Sequence, residues 1–589
     1  MKSFLAVLLV LITMVTGSLA QANPKISPEL QGYTGTQQVQ VIVQYAPGTQ
    51  VSCTGLLGLV DCLLNDIVKL GGTLLSDLPL INGVVALLDG NGIQKLANQS
   101  NVVYISSDRP LTPSLSNAAV AVNAPFAWQS GYTGAGVGVA LIDSGVSSHP
   151  DLYTGILPLS RVVYSQSFVP GNSNTNDQFG HGTHVAGLIA GDGLSSTGPF
   201  FSKTFKGIAP SASIVNLRVL DQNGAGTDSL VIAAINQAIS LKSQYNIRVI
   251  NLSLGRAIYE SYKLDPLCQA VEQAWKNGIV VVVAAGNNGR YQPTNGYATV
   301  TSPGNDPYVI TVGDMKPMGT PTRVDDLIAS YSSKGPTVVD AVVKPDIVAP
   351  GNLLVSLEAP NSTLFTQYPG NQVPYSYYVN GGNSTISPFY FQLSGTSMAT
   401  GIVSGVVADV LQQSPRLTPD QVKARLMLTA YKTFPPTSST TDPTTGITYT
   451  DQYDVFTIGA GYVDVQAALN STAVGRGTAM SPIATFNGNT NLVYLSDDPS
   501  AVWNTSSTWS NAAVWGSTQF VTGTSAASSG NGASSALMAN DALWGSDALW
   551  GSDALWGSDA LWGSDALWGS DALWGSDALW GSNVTGGEN

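Results

Sequence analysis

The stretch GIVVVVAAGN, Gly278–Asn287, carries four consecutive valines and ends on a glycine and an asparagine. A strand with one face in water alternates apolar and polar residues, whereas a strand covered on both faces reads as a continuous apolar run. VGVALID (Val137–Asp143), ASIVNLRVL (Ala212–Leu220) and IRVINLSLG (Ile247–Gly255) read the same way. Helical patterns lie between these runs. Strands buried on both faces and alternating with helices predict an α/β doubly wound, mostly parallel sheet, from about residue 117 to 472.

Other segments flank this region. QQVQVIVQYA alternates as a strand does, and LLGLVDCLLNDIVKLGG reads as an amphipathic helix ending on glycines. GTLLSDLPL and GVVALLDG are strand-like, NGIQKLANQ is helix-like and NVVYISS is again strand-like. The order β-α-β-β-α-β predicts a small ferredoxin-like α+β domain within residues 21–116. It ends in the polar, proline-bearing SDRPLTPSLSNAA, which suits a cleavable linker. Residues 473–540 are rich in Ser, Thr, Asn, Gly and Ala and read as a linker. DALWGS then repeats seven times, from Asp541 to Ser582, before a short tail over 583–589. A six-residue period fixes no face on a helix, but on a strand it keeps every tryptophan on one side. Two readings stay open for the repeats: a low-complexity tail, or a segment that binds a surface or its own kind.

Composition narrows the function. Charged residues make up 11% of the 589-residue chain and the net charge is -14, with no run of Lys and Arg. Nucleic-acid binding, which needs basic patches, is excluded as an expectation. Residues 1–20, MKSFLAVLLVLITMVTGSLA, read as a secretory signal peptide, with a short positive start, an apolar run and small residues at the end. That run is shorter than the ~20 residues a bilayer span requires. The expectation is an exported protein without a transmembrane span, secreted or held at the cell surface. Of the three cysteines, Cys53 and Cys62 could pair with each other, while Cys268 sits on a helical pattern and reads as a buried core residue.

The chemistry follows from strand ends and helix starts. Asp143 ends the run VGVALID, and in open parallel sheets ligands collect beyond the carboxyl ends of strands. GHGTHVAGLIAG (Gly180–Gly191) places His181 at a helix N-terminus, whose positive end disfavours imidazolium and is expected to lower its pKa. His184, one turn on, and His149 read as packing residues. LSGTSMATG (Leu393–Gly401) puts Ser397 at the start of a glycine- and alanine-rich helix. Backbone N–H groups there lack intrahelical partners and can face an oxyanion. Asn287, past the end of a buried strand, offers a side-chain amide as a second donor. Only three histidines exist, and none follows Ser397, which rules out the serine-then-histidine order of α/β-hydrolases.

Asp143, His181 and Ser397 stand in the order that subtilisins use. With VALIDSGV, HGTHVAG, AAGNNG and GTSMA in place, the chain resembles the subtilisin-like serine proteases over about residues 124–469, to GAGYVDVQAAL. The resemblance implies a serine endopeptidase with Ser397 as nucleophile, His181 as base and Asp143 as its orienting partner. Asn287 and the Ser397 N–H would form the oxyanion hole. It implies that Gly224, Ala225 and Gly226, with Ser253, Leu254 and Gly255, pair with substrate backbone. It also makes the segment over 21–116 an inhibitory propeptide, and 117–472 the catalytic domain. No cofactor is needed for that chemistry. The resemblance also allows structural calcium, common in such proteases, at sites that the sequence does not locate. Two departures stand out. Gly401 and Ile402 replace the Pro-His that usually follows Thr400, and a tyrosine-rich insertion precedes Ser397, expected to wall the substrate cleft or pack on the tail. The alternatives are a catalytically dead peptide-binding relative and a surface-binding protein driven by its repeats.

Overall fold

The computed structural model of the protein describes residues 23–522 and 588, apart from 28, 29, 32, 47, 48, 50–63, 79–81, 108–113, 116, 155–158, 443, 444, 488–491, 505–513 and 516–520. The signal-like segment, Cys53, Cys62 and the DALWGS repeats lie outside the described residues. The chain forms two compact units, Met1–Thr112 and Pro113–Asn589.

The first unit runs strand Val39–Tyr45, helix Leu64–Lys69, strands Thr73–Leu78 and Gly83–Leu88, helix Gly90–Ala97 and strand Val102–Ser107. Its sheet is antiparallel, with Val39–Tyr45 between Gly83–Leu88 and Val102–Ser107, and Thr73–Leu78 on the outer side of Gly83–Leu88. Val41, Val43, Ala86 and Leu88 from the strands meet Ile93 and Leu96 from a helix in a core of its own. Asp89 starts that helix, its side chain accepting from Gly92 N.

The second unit is built on a sheet whose strands are β1 (Gly138–Asp143), β2 (Val162–Ser167), β3 (Ser213–Arg218), β4 (Ile247–Leu252), β5 (Val280–Ala284), β6 (Ile310–Lys316), β7 (Leu327–Ile328) and β8 (Ile347–Pro350). Their order is β7-β6-β5-β4-β1-β3-β2, with β8 also paired to β6. Every pairing is parallel except β6 with β7. β1 and β5 are buried along their whole length, as their unbroken apolar runs require. Helices α1 (His181–Ala190), α2 (Asp228–Tyr245), α3 (Pro266–Lys276) and α4 (Thr396–Gln413) cover the sheet.

Helix α4 is buried from Thr396 to Leu411 and packs against α1 and against strands β4, β5 and β6. Its small residues are what allow this approach. A Cβ on Gly405 would stand 2.6 Å from Ile208 Cβ, and one on Gly401 would stand 3.3 Å from Val185 Cγ1. Gly401, where the family resemblance leads one to expect proline, is thus a close-packing position between α4 and α1, and Ile402 is buried beside it.

The tyrosine-rich insertion builds onto the second unit, and at its start Thr363 N donates to the Gln178 carbonyl, Thr363 Oγ1 to the Gln222 carbonyl and Leu364 N to the Phe179 carbonyl. Strands Gln372–Pro374 and Ile386–Leu393 form a small sheet with Leu354–Leu357. Tyr378 and Tyr390 are buried among Phe201 and Phe205, and the Tyr390 hydroxyl donates to Asp151 and Ser196. Burial pulls these rings inward because each phenol finds an acceptor.

Packing also continues past residue 472. Strands Ile483–Asn487 and Leu492–Ser496 pair in this stretch. Trp503 and Trp515 join Tyr297, Met427, Val455 and Phe456 in a second apolar cluster. Among the described residues, no helix is long and apolar enough to cross a membrane, and no group of three or more His, Cys, Asp or Glu is placed to hold a metal ion.

Candidate active site

β1 ends on Asp143 at the centre of the sheet, and α1 begins at His181 close by. The close approach depends on glycine. Gly180 has φ +109°, and a Cβ on Gly182 would stand 2.3 Å from the Gly145 carbonyl and 3.1 Å from Asp143 Oδ1. With no side chains in the way, His181 Nδ1 lies 2.8 Å from Asp143 Oδ1, both groups fully buried. Asp143 Oδ1 also accepts from Ser144 N at 2.7 Å and lies 3.2 Å from Ser144 Oγ.

Burial lowers the His181 pKa and is the largest single influence on it. The Asp143 charge, the Asp143 hydrogen bond and the Asp177 charge together outweigh burial, so the pKa is raised above 6.5. This corrects the expectation, drawn from the helix N-terminus alone, that it falls. A buried carboxylate in contact favours imidazolium more than one helix end disfavours it. His184 does fall, to about 3, through burial; its Nε2 is 3.1 Å from the Leu354 carbonyl. His149 Nε2 lies 2.9 Å from the Phe389 carbonyl, and its Nδ1 accepts from Asp151 N. Both rings are built into the packing.

Ser397 is the second residue of α4, which opens at Gly395 with φ +148°. Its Oγ donates to the Ser253 carbonyl at 3.2 Å, while Ser253 Oγ donates to the Ser397 carbonyl at 2.9 Å. Asn251 Nδ2 donates to Ser253 Oγ, and Asn251 Oδ1 accepts from Ser404 Oγ. The end of β4 and the head of α4 are therefore laced together through buried side chains. Asn287 follows β5. Its Oδ1 accepts from Thr396 N and from Thr396 Oγ1, each at 3.0 Å. With the carbonyl end of the amide held there, Nδ2 lies on the Gly395 side, 3.2 Å from where a Cβ on Gly395 would stand.

The predicted substrate-pairing segments sit at strand ends. Gly224 turns the chain with φ +76°, and Asp221 N donates to the Ala225 carbonyl. Ala225 and Gly226 are exposed, Ser253 and Leu254 are buried, and Gly255 is half-buried. Cys268 is a buried free thiol, 3.3 Å from Asn305 Oδ1, and burial pushes its pKa up.

Sequence reasoning missed Asp177. It is buried, and its carboxylate accepts from Gly180 N at 2.6 Å, Phe179 N at 3.1 Å, Thr183 N at 2.8 Å and Ser144 Oγ at 2.8 Å. It fixes the first turn of α1 and, through Ser144, the carboxylate of Asp143. A signal was available in DQFGHGTH: an aspartate just before a helix, at the spacing that satisfies free N–H groups.

A mostly parallel doubly wound sheet crossed by a buried glycine-rich helix is a subtilisin-like α/β fold. The sequence pattern of the subtilase family matches residues 134–461. The chain is 39% identical over 344 residues to the serine protease AprX of Bacillus subtilis (strain 168), covering 56% of this chain and 70% of that one. It is 33% identical over 434 residues to subtilisin E of the same organism, covering 73% and 92%. To the subtilisin of Bacillus pumilus it is 37% identical over 311 residues, covering 52% and 89%. The chain belongs to the subtilase family, and at the level of that family it is a serine protease.

Proposed function

We propose that the protein is a secreted serine endopeptidase that cleaves protein and peptide substrates through Asp143, His181 and Ser397. The observation that carries this is the buried Asp143–His181 pair, at 2.8 Å, at the start of a helix that packs against α4, the helix that Ser397 opens. In this reading Ser397 Oγ attacks the peptide carbonyl as His181 Nε2 takes its proton. Asp143 accepts from Nδ1 and stabilises the imidazolium that forms. The Asn287 amide, turned by Thr396, and the Ser397 N–H receive the developing oxyanion. His181 returns its proton to the leaving amine, and water then resolves the acyl-enzyme. Residues 224–226 and 253–255 hold substrate backbone in extended form.

The first unit acts as an inhibitory propeptide that the protease removes from itself. Its separate core supports this, since it buries its own apolar residues as a domain that can be shed must. A serine-directed fluorophosphonate tests the proposal. Peptide mapping is expected to find the label on Ser397 and to find none in Ser397→Ala. Labelling elsewhere, or peptide hydrolysis by Ser397→Ala, overturns it.

A further inference from the structure

Three residues past Asn287, the chain reaches Arg290, which belongs to a second buried polar site unrelated to the triad. Its centre is the carboxylate of Glu588, next to the last residue of the sequence. Arg290 Nη2 donates to Glu588 Oε1 at 2.7 Å. Ser330 N donates to both carboxylate oxygens at 3.2 Å, and Ser330 Oγ donates to Oε1. Lys316 Nζ lies 3.9 Å from Oε2. Asn352 pairs with the backbone of the same residue in both directions: Nδ2 donates to the Glu588 carbonyl at 2.7 Å, and Oδ1 accepts from Glu588 N at 2.9 Å. The Glu588 side chain is completely buried.

We propose that Arg290, Lys316, Ser330 and Asn352 form a recognition seat for Glu588, in the stretch of this same chain that follows the DALWGS repeats, so that the repeat-bearing segment is held to the second unit on both sides. The seat reads two things at once. Asn352 pairs with a backbone as a neighbouring strand does, and the cations with Ser330 read a carboxylate. Charge supports the assignment. Three cations meet here: Arg290, Lys316 and Lys334. Asp442 pairs with Arg290 at 3.0 Å and Asp451 pairs with Lys334. Asp314, the remaining acid nearby, accepts from the Tyr331 hydroxyl, and burial, with the Glu588 charge beside it, raises its pKa well above the usual carboxylate value. Lys316 is 3% exposed, and burial lowers its pKa while the charges of Glu588 and Asp451 act against that, so Glu588 helps a buried lysine keep its proton.

The other anchor is Trp515, which stacks edge-on to Trp503 with ring centres 6.3 Å apart. Val514, beside it, gives its carbonyl to Lys432. Val521–Thr522 adds a further contact, paired in parallel with Tyr494 and Leu495. The seat needs less intrinsic affinity than a free ligand would, because a tethered segment faces its site at an effective concentration that the length of the tether sets.

Amide hydrogen exchange tests the seat, on the full chain carrying Ser397→Ala so that self-digestion does not intervene. In that protein, the amides of Glu588 and Ser330 are expected to exchange slowly. Glu588→Lys should speed both by about ten- to a hundredfold, the range one charge-assisted contact commands, while the amides of β1 and β5 stay slow and show that the fold is kept. Adding the free peptide NVTGGEN (residues 583–589) at millimolar concentration to the Glu588→Lys chain should restore slow exchange at Ser330. C-terminal amides that exchange in the parent chain as fast as in the free peptide overturn the proposal, as does failure of the peptide to protect Ser330. Sedimentation distinguishes the source of the end. A monomer with a protected Glu588 supports docking within one chain. Association that disappears on Glu588→Lys overturns it in favour of docking between copies.

Discussion

Two buried carboxylates organise the second unit, and they differ in how the sequence announces them. Asp143 ends the central strand, and its partners come from the next residue and from the start of α1, 38 residues on. Each partner sits in a short stretch with glycines where the backbone must come close. Glu588 finds its partners 236 to 298 residues away, in four unrelated segments, none of which carries a motif. The first arrangement is a constraint on local sequence and is readable there. The second is a product of the completed fold, and a Glu-Asn chain end says nothing about it. Chemistry that must be exact leaves marks along the chain, whereas a docking contact leaves them only in space.

The comparison breaks first if the Asp143 site is not the catalytic one. Ser397→Ala is expected to abolish peptide hydrolysis and maturation of the precursor. In a subtilisin, loss of the serine costs about 10⁶ in kcat, and a loss of that order is expected in a chain of the same family. Normal maturation of the variant, without added protease, removes self-cleavage from the account. Asn287→Leu comes next. In the proposed mechanism its amide receives charge that exists only in the transition state, so kcat should drop and KM should hold. The corresponding loss measured in a subtilisin is roughly 10²–10³. Equal kcat in variant and parent takes Asn287 out of the site.

Acid should act through His181, and the sign follows from its surroundings. Its pKa is raised above 6.5 by Asp143 and Asp177 against the opposing effect of burial. In the proposed mechanism the neutral ring is the base, so kcat/KM should be full above that pKa and fall about tenfold per pH unit below it. The midpoint is therefore expected above 6.5, and Asp177→Asn, by removing one of the charges responsible, should move it down. A profile that stays flat well below pH 5 would contradict the triad.

The same contrast explains what is legible in the sequence. The valine runs of β1 and β5 require cover on both faces, and the parallel sheet follows. Asp143, His181, Ser397 and Asn287 are legible because each closes a strand or opens a helix beside glycines. The direction of the His181 pKa is not, because a helix end is visible in sequence, while the balance between burial and two facing carboxylates is visible only in space. The place of the tyrosine insertion is hidden for a related reason. Its rings announce burial, but Phe201, Phe205 and Asp151, which receive them, lie far up the chain.

The smallest effect expected on catalysis, and the sharpest test of where the packed body ends, concerns Trp503. The Ser/Thr/Asn-rich composition after residue 472 suggests a linker, and on that reading a chain ending near residue 473 would keep its fold and activity. The structure argues otherwise. Trp503 is 3% exposed and packs with Trp515, Val502 and Leu495 against Tyr297, Met427 and Phe456 of the body. A few large apolar residues suffice to dock a polar segment, because stability depends on the area that they bury and not on the average of the stretch. Trp503→Ala should therefore lower unfolding free energy by about 3–5 kcal/mol, as truncation of a buried aromatic does, read by denaturant unfolding in the Ser397→Ala background. In the active chain at moderate temperature, the same substitution should leave kcat/KM on a short peptide within about twofold, since uniform loss of remote packing does not touch the transition state. Truncation near residue 473 removes Trp503, Trp515 and the Glu588 contact together, so it should destabilise more than Trp503→Ala alone. If both changes leave the unfolding midpoint where it was, the segment after residue 472 is a linker after all, and the catalytic body ends where its composition says it does.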